Sequence, residues 1–303
     1  MNKILIALIM ALSSQLAFAV AVSNYCGAYA SVIPGFGSYE LFSNVIPSPT
    51  NAPCPGYGCP GIVRYQGTSL QYPTYKGIVA SNSIIDDVFE SDGVTLATKR
   101  MFTRNVIKRD GLGYVAMAFV SNGYPPVDGD VRPAWLTSSD GINWTYQGKL
   151  AGESSFTTNK YYGSGMALVV SDTGPRYTFW TDGFGRKLVR FTSEDGVYWK
   201  HTRDAAGAVM DLKPAPWVQG LFHSVEYIDG VYYMVASDKW PVTKWLFAHS
   251  YDGIAWIHDR EEAVSSSKKN VSYYQDNGVL KGLATYKIDR NCYRKDIRTY
   301  PVM

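Results

Sequence analysis

Apolar and polar residues alternate in short runs along the chain, and turn-forming pairs such as Asp-Gly separate the runs. The clearest example is residues 221–227, followed by Asp229-Gly230, the apolar run 231–236 and a third run at 245–249. Alternation over four to eight residues between turn signals is typical of half-buried β-strands. The same order of runs and turns recurs in two earlier segments, so the pattern predicts an all-β chain built from antiparallel sheets.

One heptapeptide pattern, S-x-D-G-x-x-W, occurs three times, at residues 138–144, 193–199 and 250–256. A weaker copy at residues 90–96 keeps the Asp-Gly pair and has Leu in place of Trp. In each copy the Gly can adopt a positive φ in a tight turn, the Ser and Asp can accept backbone hydrogen bonds, and the Trp can pack between neighbouring sheets. We therefore assign a structural role in the repeat to these residues: Asp140, Trp144, Asp195, Trp199, Asp252 and Trp256.

The repeat spacing predicts the architecture. The copies start 48, 55 and 57 residues apart, which suits one four-stranded propeller blade with long loops and exceeds the period of leucine-rich or ankyrin repeats. Three blades can be read directly, and strand-like runs at residues 61–65 and 279–286 supply one more at each end. The sequence predicts a five-bladed β-propeller of four-stranded antiparallel blades, formed as a single domain by residues 20–303 and closed near its termini.

The heptapeptide resembles the Asp-box hairpin of sialidase-like propellers, and the segment from Val225 through Asp229-Gly230 to residue 234 is similar to the blade opening of five-bladed glycoside hydrolases. The resemblance covers residues 85–260 and implies a propeller fold with glycosidase-like activity. Those enzymes carry a catalytic Asp or Glu at the start of inner strands, and the aligned positions of this chain hold Thr103 and Phe222. A hydrolase of this type would therefore take its carboxylates from its loops.

The first residues have the features of a targeting segment. Lys3 precedes an apolar stretch at residues 4–12, and Ala17-Phe18-Ala19 forms a small-x-small cleavage site. The apolar stretch is much shorter than the roughly 20 residues needed to cross a bilayer. We expect a signal peptide at residues 1–19, with a second permitted cut after Ala21, and a mature protein in the periplasm or outside the cell without a membrane span.

An even number of cysteines in an exported protein favours disulfides over free thiols. The four cysteines allow three pairings, and we favour Cys54–Cys59, across a turn-rich spacer, together with Cys26–Cys292, which would join the two ends of the chain. A spacer of four residues without a nearby His matches no standard zinc site. We expect no metal and no cofactor.

The charge balance narrows the class of partner. The chain has 29 Lys and Arg against 26 Asp and Glu, a formal net charge of +3, and its basic residues are scattered along the sequence. Nucleic acid binding needs a clustered positive field, so we expect no nucleic acid partner. The oligomeric state is left open by the sequence.

The long connections between strands are the place to look for a ligand site. In a propeller the heptapeptide turns lie on one face and the longer connections on the other, where they combine aromatic and polar side chains. Aromatic rings can stack on the apolar faces of sugars while polar groups bond to the hydroxyls, so we expect an extracellular or envelope ligand, a glycan by preference. The expected ligand-binding residues are Arg104, Tyr124, Arg186, His223 and Trp240.

Two alternatives to simple binding stay open. A glycoside hydrolase needs a pair of carboxyl groups flanking the glycosidic bond. The loop acids that could supply the pair are Glu153, Asp182, Asp211 and Asp238. A module for protein interaction or assembly could use the same face, because a fold does not fix a function.

Overall fold

The computed structural model describes residues 20–22, 31–43, 61–70, 73–87, 100–109, 111–121, 131–152, 166–170, 176–182, 187–214, 217, 220–239, 242–264, 268–287 and 293–299. Within these ranges a single 3-10 turn spans Asn82–Ile84. The strands are β1 (Val20–Val22), β2 (Ser31–Gly35), β3 (Ser38–Ser43), β4 (Gly61–Gly67), β5 (Thr74–Ser81), β6 (Arg100–Arg109), β7 (Gly113–Ser121), β8 (Val131–Ser138), β9 (Thr145–Lys149), β10 (Ala151–Gly152), β11 (Met166–Val170), β12 (Tyr177–Asp182), β13 (Leu188–Ser193), β14 (Tyr198–His201), β15 (Leu221–Ile228), β16 (Val231–Ser237), β17 (Lys244–Ser250), β18 (Ile257–Ala263), β19 (Lys268–Asp276), β20 (Val279–Lys287) and β21 (Tyr293–Thr299).

The strands pair as successive antiparallel meanders of four. Strands β15 to β18 form one such sheet, β11 to β14 form another with β10 added beside β14, and β19 to β21 are completed by β1. An eight-stranded sheet holds the meanders β2 to β5 and β6 to β9, which are joined by one parallel pair, Gly61 opposite Phe102. The chain is thus an all-β propeller of four-stranded antiparallel sheets, hydrogen-bonded into four sheets over the described ranges.

The first strands of the meanders form a ring. Strands β2, β6, β11, β15 and β19 each contact the next, and β19 contacts β2 in turn. We call these five the inner strands, and the space that they enclose the channel. Because a propeller packs its sheets around such an axis, residues on the inner strands are the ones that several sheets can present to one ligand.

The three heptapeptides form the same turn. Ser250 Oγ accepts a hydrogen bond from the backbone N–H of Gly253 (2.9 Å), and Asp252 Oδ1 accepts bonds from the N–H groups of residues 254 (2.7 Å) and 255 (2.8 Å). The turns after Ser138 and Ser193 repeat these bonds. Gly253 has a φ of 68°, in the left-handed region that favours glycine.

The heptapeptide tryptophans pack against aromatic rings of the preceding meander. Their ring centroids lie 5.8 to 6.1 Å from the neighbouring ring in edge-on geometry, in three pairs: Trp144 with Phe42, Trp199 with Trp135, and Trp256 with Trp180. All six rings are buried. Edge-on aromatic pairs add to the energy of burial, so each junction repeats one favourable contact.

The first and last meanders also pack together. Tyr39 donates a hydrogen bond from its hydroxyl to Asp276 Oδ2 (3.0 Å), and Lys281 Nζ lies 2.6 Å from the same oxygen. A buried apolar cluster lies at the same junction and contains Val32, Leu41, Val63, Tyr65, Leu70, Tyr274 and Leu283. This packing closes the ring of inner strands between β19 and β2.

Several sequence-based expectations fall outside the described residues. They concern residues 1–19, the weaker heptapeptide copy at residues 90–96, and the four cysteines Cys26, Cys54, Cys59 and Cys292. Within the part of the chain that the structure covers, no helix has the length and apolar character needed to cross a membrane.

Candidate functional site

The two ends of the propeller differ. The heptapeptide turns and the hairpin turns after β6, β15 and β19 lie at one end, which we call the turn face, and we call the opposite end the loop face. Of the expected site residues, Tyr124, Glu153, Arg186 and Trp240 lie outside the described residues. The backbone of Arg104 and His223 is described, on inner strands β6 and β15.

Arg104 and His223 occupy matching irregularities of the inner strands. In β6 the register steps from Thr103 to Asn105 across one residue of β7, so Arg104 is the extra residue of a β-bulge. In β15 the register steps from Phe222 to Ser224, so His223 is the extra residue of a second bulge. Each bulge lies five residues before the end of its strand, in the half nearer the loop face.

Side chains next to these bulges fix neighbouring inner strands to each other. Ser31 Oγ, on β2, donates to Asn105 Oδ1 (3.2 Å) and accepts a bond from the backbone N–H of Val106 (2.8 Å). Ser224 Oγ accepts a bond from the backbone N–H of Tyr273 on β19 (3.0 Å). The backbone around both bulges is therefore held by a hydroxyl group that bridges two meanders.

Two of the expected acids serve their own loops. Asp211 Oδ1 accepts hydrogen bonds from the N–H groups of Leu188 (3.0 Å) and Lys213 (3.2 Å). Asp238 Oδ1 accepts bonds from the N–H groups of Thr243 and Lys244, both at 3.0 Å. Partial burial raises the pKa of Asp238, but the bonds from Thr243 and Lys244 outweigh it and hold that pKa below its usual range. Both carboxylates thus organise loop-face connections.

Asp182 lies in the interior. It ends β12 opposite Leu188 of β13, and only 1% of its surface is exposed. A carboxyl this deeply buried is not part of the open surface of the loop face.

Glu226 is a carboxyl that the sequence analysis did not select. It lies on inner strand β15, three residues beyond His223 toward the turn face, and is half-buried. Burial raises its pKa to about 7, against the opposing influence of the Arg109 charge on β6 and of a backbone hydrogen bond. A carboxyl with such a pKa exchanges its proton near neutral pH, which is the property required of a general acid.

A third inner-strand bulge was also missed. In β19 the register steps from Lys268 to Asn270 across one residue of β20, so Lys269 is the extra residue. Glu226 could have been found as the acid within an otherwise uncharged β15 run, and Lys269 as part of a Lys-Lys pair that opens an aromatic strand. Neither signal involves the loops, where the sequence analysis sought the acids.

The described residues hold no group of three or more His, Cys, Asp or Glu side chains arranged to bind a metal ion. Asp259 and His249 could be two ligands of such a group, since Asp259 Oδ1 lies 2.6 Å from His249 Nδ1. They form only a pair, on strands β18 and β17.

Comparison of the sequence with models of protein families and with curated protein sequences gives no match. Comparison of the fold with solved structures gives several matches over nearly the whole chain. A β-xylosidase superposes with a TM-score of 0.64 at 9% identity, covering 94% of this chain and 96% of its own. A GH43 β-1,3-galactosidase gives 0.63 at 13% identity, covering 91% of both chains. The arabinanase of Bacillus subtilis gives 0.62 at 12% identity, covering 93% and 97%.

This chain has the fold of glycoside hydrolase propellers. The predicted all-β propeller is confirmed, and the predicted resemblance to glycoside hydrolases fits the fold. Identities of 9 to 13% show a shared fold and carry no information about chemistry.

Proposed function

We propose that this protein acts on a glycan that enters the channel from the loop face, and that it hydrolyses a glycosidic bond there. The observation that carries the proposal is the likeness of the whole chain to propellers that cleave xylosides, galactosides and arabinans. These enzymes differ in sugar and share the architecture, so the architecture is suited to glycan chains in general. The expected aromatic and basic residues of the loop face fit the same ligand class.

Within this proposal Glu226 is the general acid. Its pKa of about 7 leaves a large fraction protonated at neutral pH, as protonation of a leaving-group oxygen requires. The strand rise places residue 226 about 10 Å deeper in the channel than residue 223. Glu153, which the sequence places among the loop acids, would supply the second carboxyl.

The test is a survey of glycans with matched variants. The full chain is incubated with xylan, arabinan, galactan and pectic polysaccharides, and released sugars are separated and quantified by anion-exchange chromatography. We expect release from at least one substrate and a loss of at least a hundredfold in Glu226→Gln. Asp211→Asn is the control, since Asp211 serves its own loop. Full activity in Glu226→Gln would remove Glu226 from the mechanism, and no release from any glycan would remove hydrolysis.

Glycan binding without hydrolysis is the second candidate. It is favoured by Thr103 and Phe222 at the positions where related enzymes carry acids, and by the structural bonds of Asp211 and Asp238. A glycan array with the full chain and with Trp240→Ala tests it. Binding that depends on Trp240, without product release, supports this candidate, and a silent array contradicts it.

Five blades are our proposal for the complete ring. The meanders β2 to β5 and β6 to β9 share one parallel residue pair, whereas strands inside each meander pair over most of their length, so we count them as separate blades. We further propose a single domain over residues 20–303, Asp-box hairpins, export through cleavage of residues 1–19, and the disulfides Cys26–Cys292 and Cys54–Cys59.

A further inference from the structure

The inner strands carry an excess of positive charge that the whole chain does not show. Together they contain six Lys and Arg residues against two acids, Glu226 and Asp276, and one histidine. The complete sequence has 29 Lys and Arg against 26 Asp and Glu. One of the two acids, Asp276, is already paired with Lys281. The inner strands therefore carry a net positive charge within a nearly neutral protein.

The bulges of the inner strands fall on basic residues. Arg104, His223 and Lys269 are the extra residues in β6, β15 and β19, and these are the three inner-strand bulges in the described chain. All three lie in the half of their strand nearer the loop face. Three inner strands therefore each carry a basic residue or a histidine at a bulge toward the loop face.

A bulge gives its extra residue a direction that regular pairing does not allow. The outer strands show the effect in this protein. In β18 the register steps from Arg260 to His258 against β17, which makes Asp259 the extra residue, and Asp259 Oδ1 lies 2.6 Å from His249 Nδ1. That bulge places a charged side chain on a specific polar partner.

We propose that an anionic glycan binds at the loop-face end of the channel, and that its uronic acid carboxylates bind the bulge residues Arg104, His223 and Lys269. This inference rests on the proposed function and narrows its substrate class. Guanidinium and ammonium groups form charge-assisted hydrogen bonds with carboxylates, and basic residues on three strands around one axis can meet carboxylates on successive sugars. A neutral glycan has no carboxylate with which to form these charge-assisted bonds.

The test compares two ligands that differ only in charge. Binding of a galacturonic acid tetramer to the full chain is measured by calorimetry beside binding of its fully methyl-esterified form. We expect the acid form to bind at least tenfold more tightly, and the difference to shrink as salt is added. Arg104→Gln and Lys269→Gln should each lower affinity for the acid form by about fivefold and leave the ester unaffected. Lys200→Gln, an exposed change on outer strand β14, is the matched control.

Each outcome separates the two proposals. Equal affinity for acid and ester, or an equal loss in Lys200→Gln, overturns the anionic preference and leaves glycan binding in place. Equal capture of a single-stranded oligonucleotide of the same charge also overturns it, because the channel would then be a general polyanion site. If neither form binds, the anionic preference is overturned too, and the survey of xylan, arabinan and galactan then decides the proposed function on its own.

Discussion

Trp180 donates a hydrogen bond from its indole Nε1 to the carbonyl oxygen of Gly253, 3.0 Å away. Trp180 belongs to β12, and Gly253 lies in the heptapeptide turn of the following meander. The indole ring also lies directly over that glycine, since a Cβ added at Gly253 would be 2.8 Å from Trp180 Cζ2. Gly196 is covered in the same way by Trp135, at 2.9 Å. The heptapeptide glycine is therefore required by the turn and by the neighbouring sheet.

Gly253→Ala tests this double requirement. The added Cβ meets a positive φ of 68° and the indole of Trp180, so we expect a loss of about 3 kcal/mol in the free energy of unfolding. Gly230→Ala is the control, because Gly230 has a φ of 87° with nothing within 4 Å of the added Cβ. The control should lose about 1 kcal/mol from backbone strain alone. Urea unfolding followed by tryptophan fluorescence measures both, and equal losses would contradict the packing role of Trp180.

The Asp of the heptapeptide should make stability sensitive to acid. Hydrogen bonds from the backbone N–H groups of Tyr198 and Val197, and from the Ser193 hydroxyl, hold the pKa of Asp195 below its usual range. A lowered pKa means that the ionised carboxylate adds stability above about pH 4, and that this stability is lost as the pH falls through the native-state pKa. Asp195→Asn should therefore be less stable than the wild type at pH 7, with a smaller difference at pH 3.

The neighbouring acid provides the control for that change. Glu194 is exposed in the same turn, so Glu194→Gln should leave the stability at pH 7 close to that of the wild type. The assignment fails if Asp195→Asn and the wild type show the same difference at both pH values.

The sequence predicted those parts of the fold in which one residue type serves one local geometry. The Asp-Gly turns and the heptapeptide tryptophans belong to this class, because the turn needs a positive φ and the large ring has to be buried. The loop acids were harder. Asp211 and Asp238 were selected as possible catalysts, whereas the structure shows them accepting backbone hydrogen bonds of their own loops. No local pattern separates an acid that stabilises its loop from one that faces a ligand.

The inner strands show a second limit of sequence reasoning. Matching positions were predicted for Arg104 and His223 because each precedes an Asp-Gly turn by six residues. Lys269 was not predicted as a third matching position, because its bulge lies eight residues before the turn residue Asn277. The position of a bulge depends on pairing with the next strand, which is a tertiary property. Glu226 was not predicted for a similar reason, since its pKa is set by burial among several strands.

Glu226 should make the protein less stable as the pH rises. Its pKa is about 7 in the folded chain and close to 4.5 without burial, so the folded state holds the proton more tightly than the unfolded state. Stability is therefore full below pH 4.5 and declines as the pH rises through 7. A shift of this size corresponds to about 3 kcal/mol at most, and partial solvent access reduces the expected effect to about 2 kcal/mol. Glu226→Gln should be about that much more stable than the wild type at pH 8 and equal to it at pH 4. A difference that does not vary with pH would contradict the raised pKa.

The junction between the first and last meanders depends on a tyrosine hydroxyl. Tyr39 donates to the buried carboxylate of Asp276, which keeps its contacts with Lys281 and with the Asn277 amide when the hydroxyl is removed. We expect Tyr39→Phe to lower the free energy of unfolding by about 1.5 kcal/mol. Tyr75→Phe is the control, because Tyr75 is 43% exposed and its change should cost less than 0.5 kcal/mol. Chemical unfolding of both variants measures the difference, and equal costs would show that the hydroxyl of Tyr39 does not strengthen the closure.

The cleavage site of the proposed signal peptide decides whether the last meander is complete. Strand β1 pairs antiparallel with β21, with Val20 opposite Ile297 and Val22 opposite Lys295. A cut after Ala19 keeps all of β1, whereas a cut after Ala21 removes two of its three residues. We therefore expect exported protein to begin at Val20, as measured by intact mass and N-terminal sequencing. A chain that begins at residue 23 should unfold about 1 kcal/mol more easily, because it loses the backbone hydrogen bonds of this edge strand. Mature protein that begins at Val22 with unchanged stability would show that β1 does not contribute to closing the propeller.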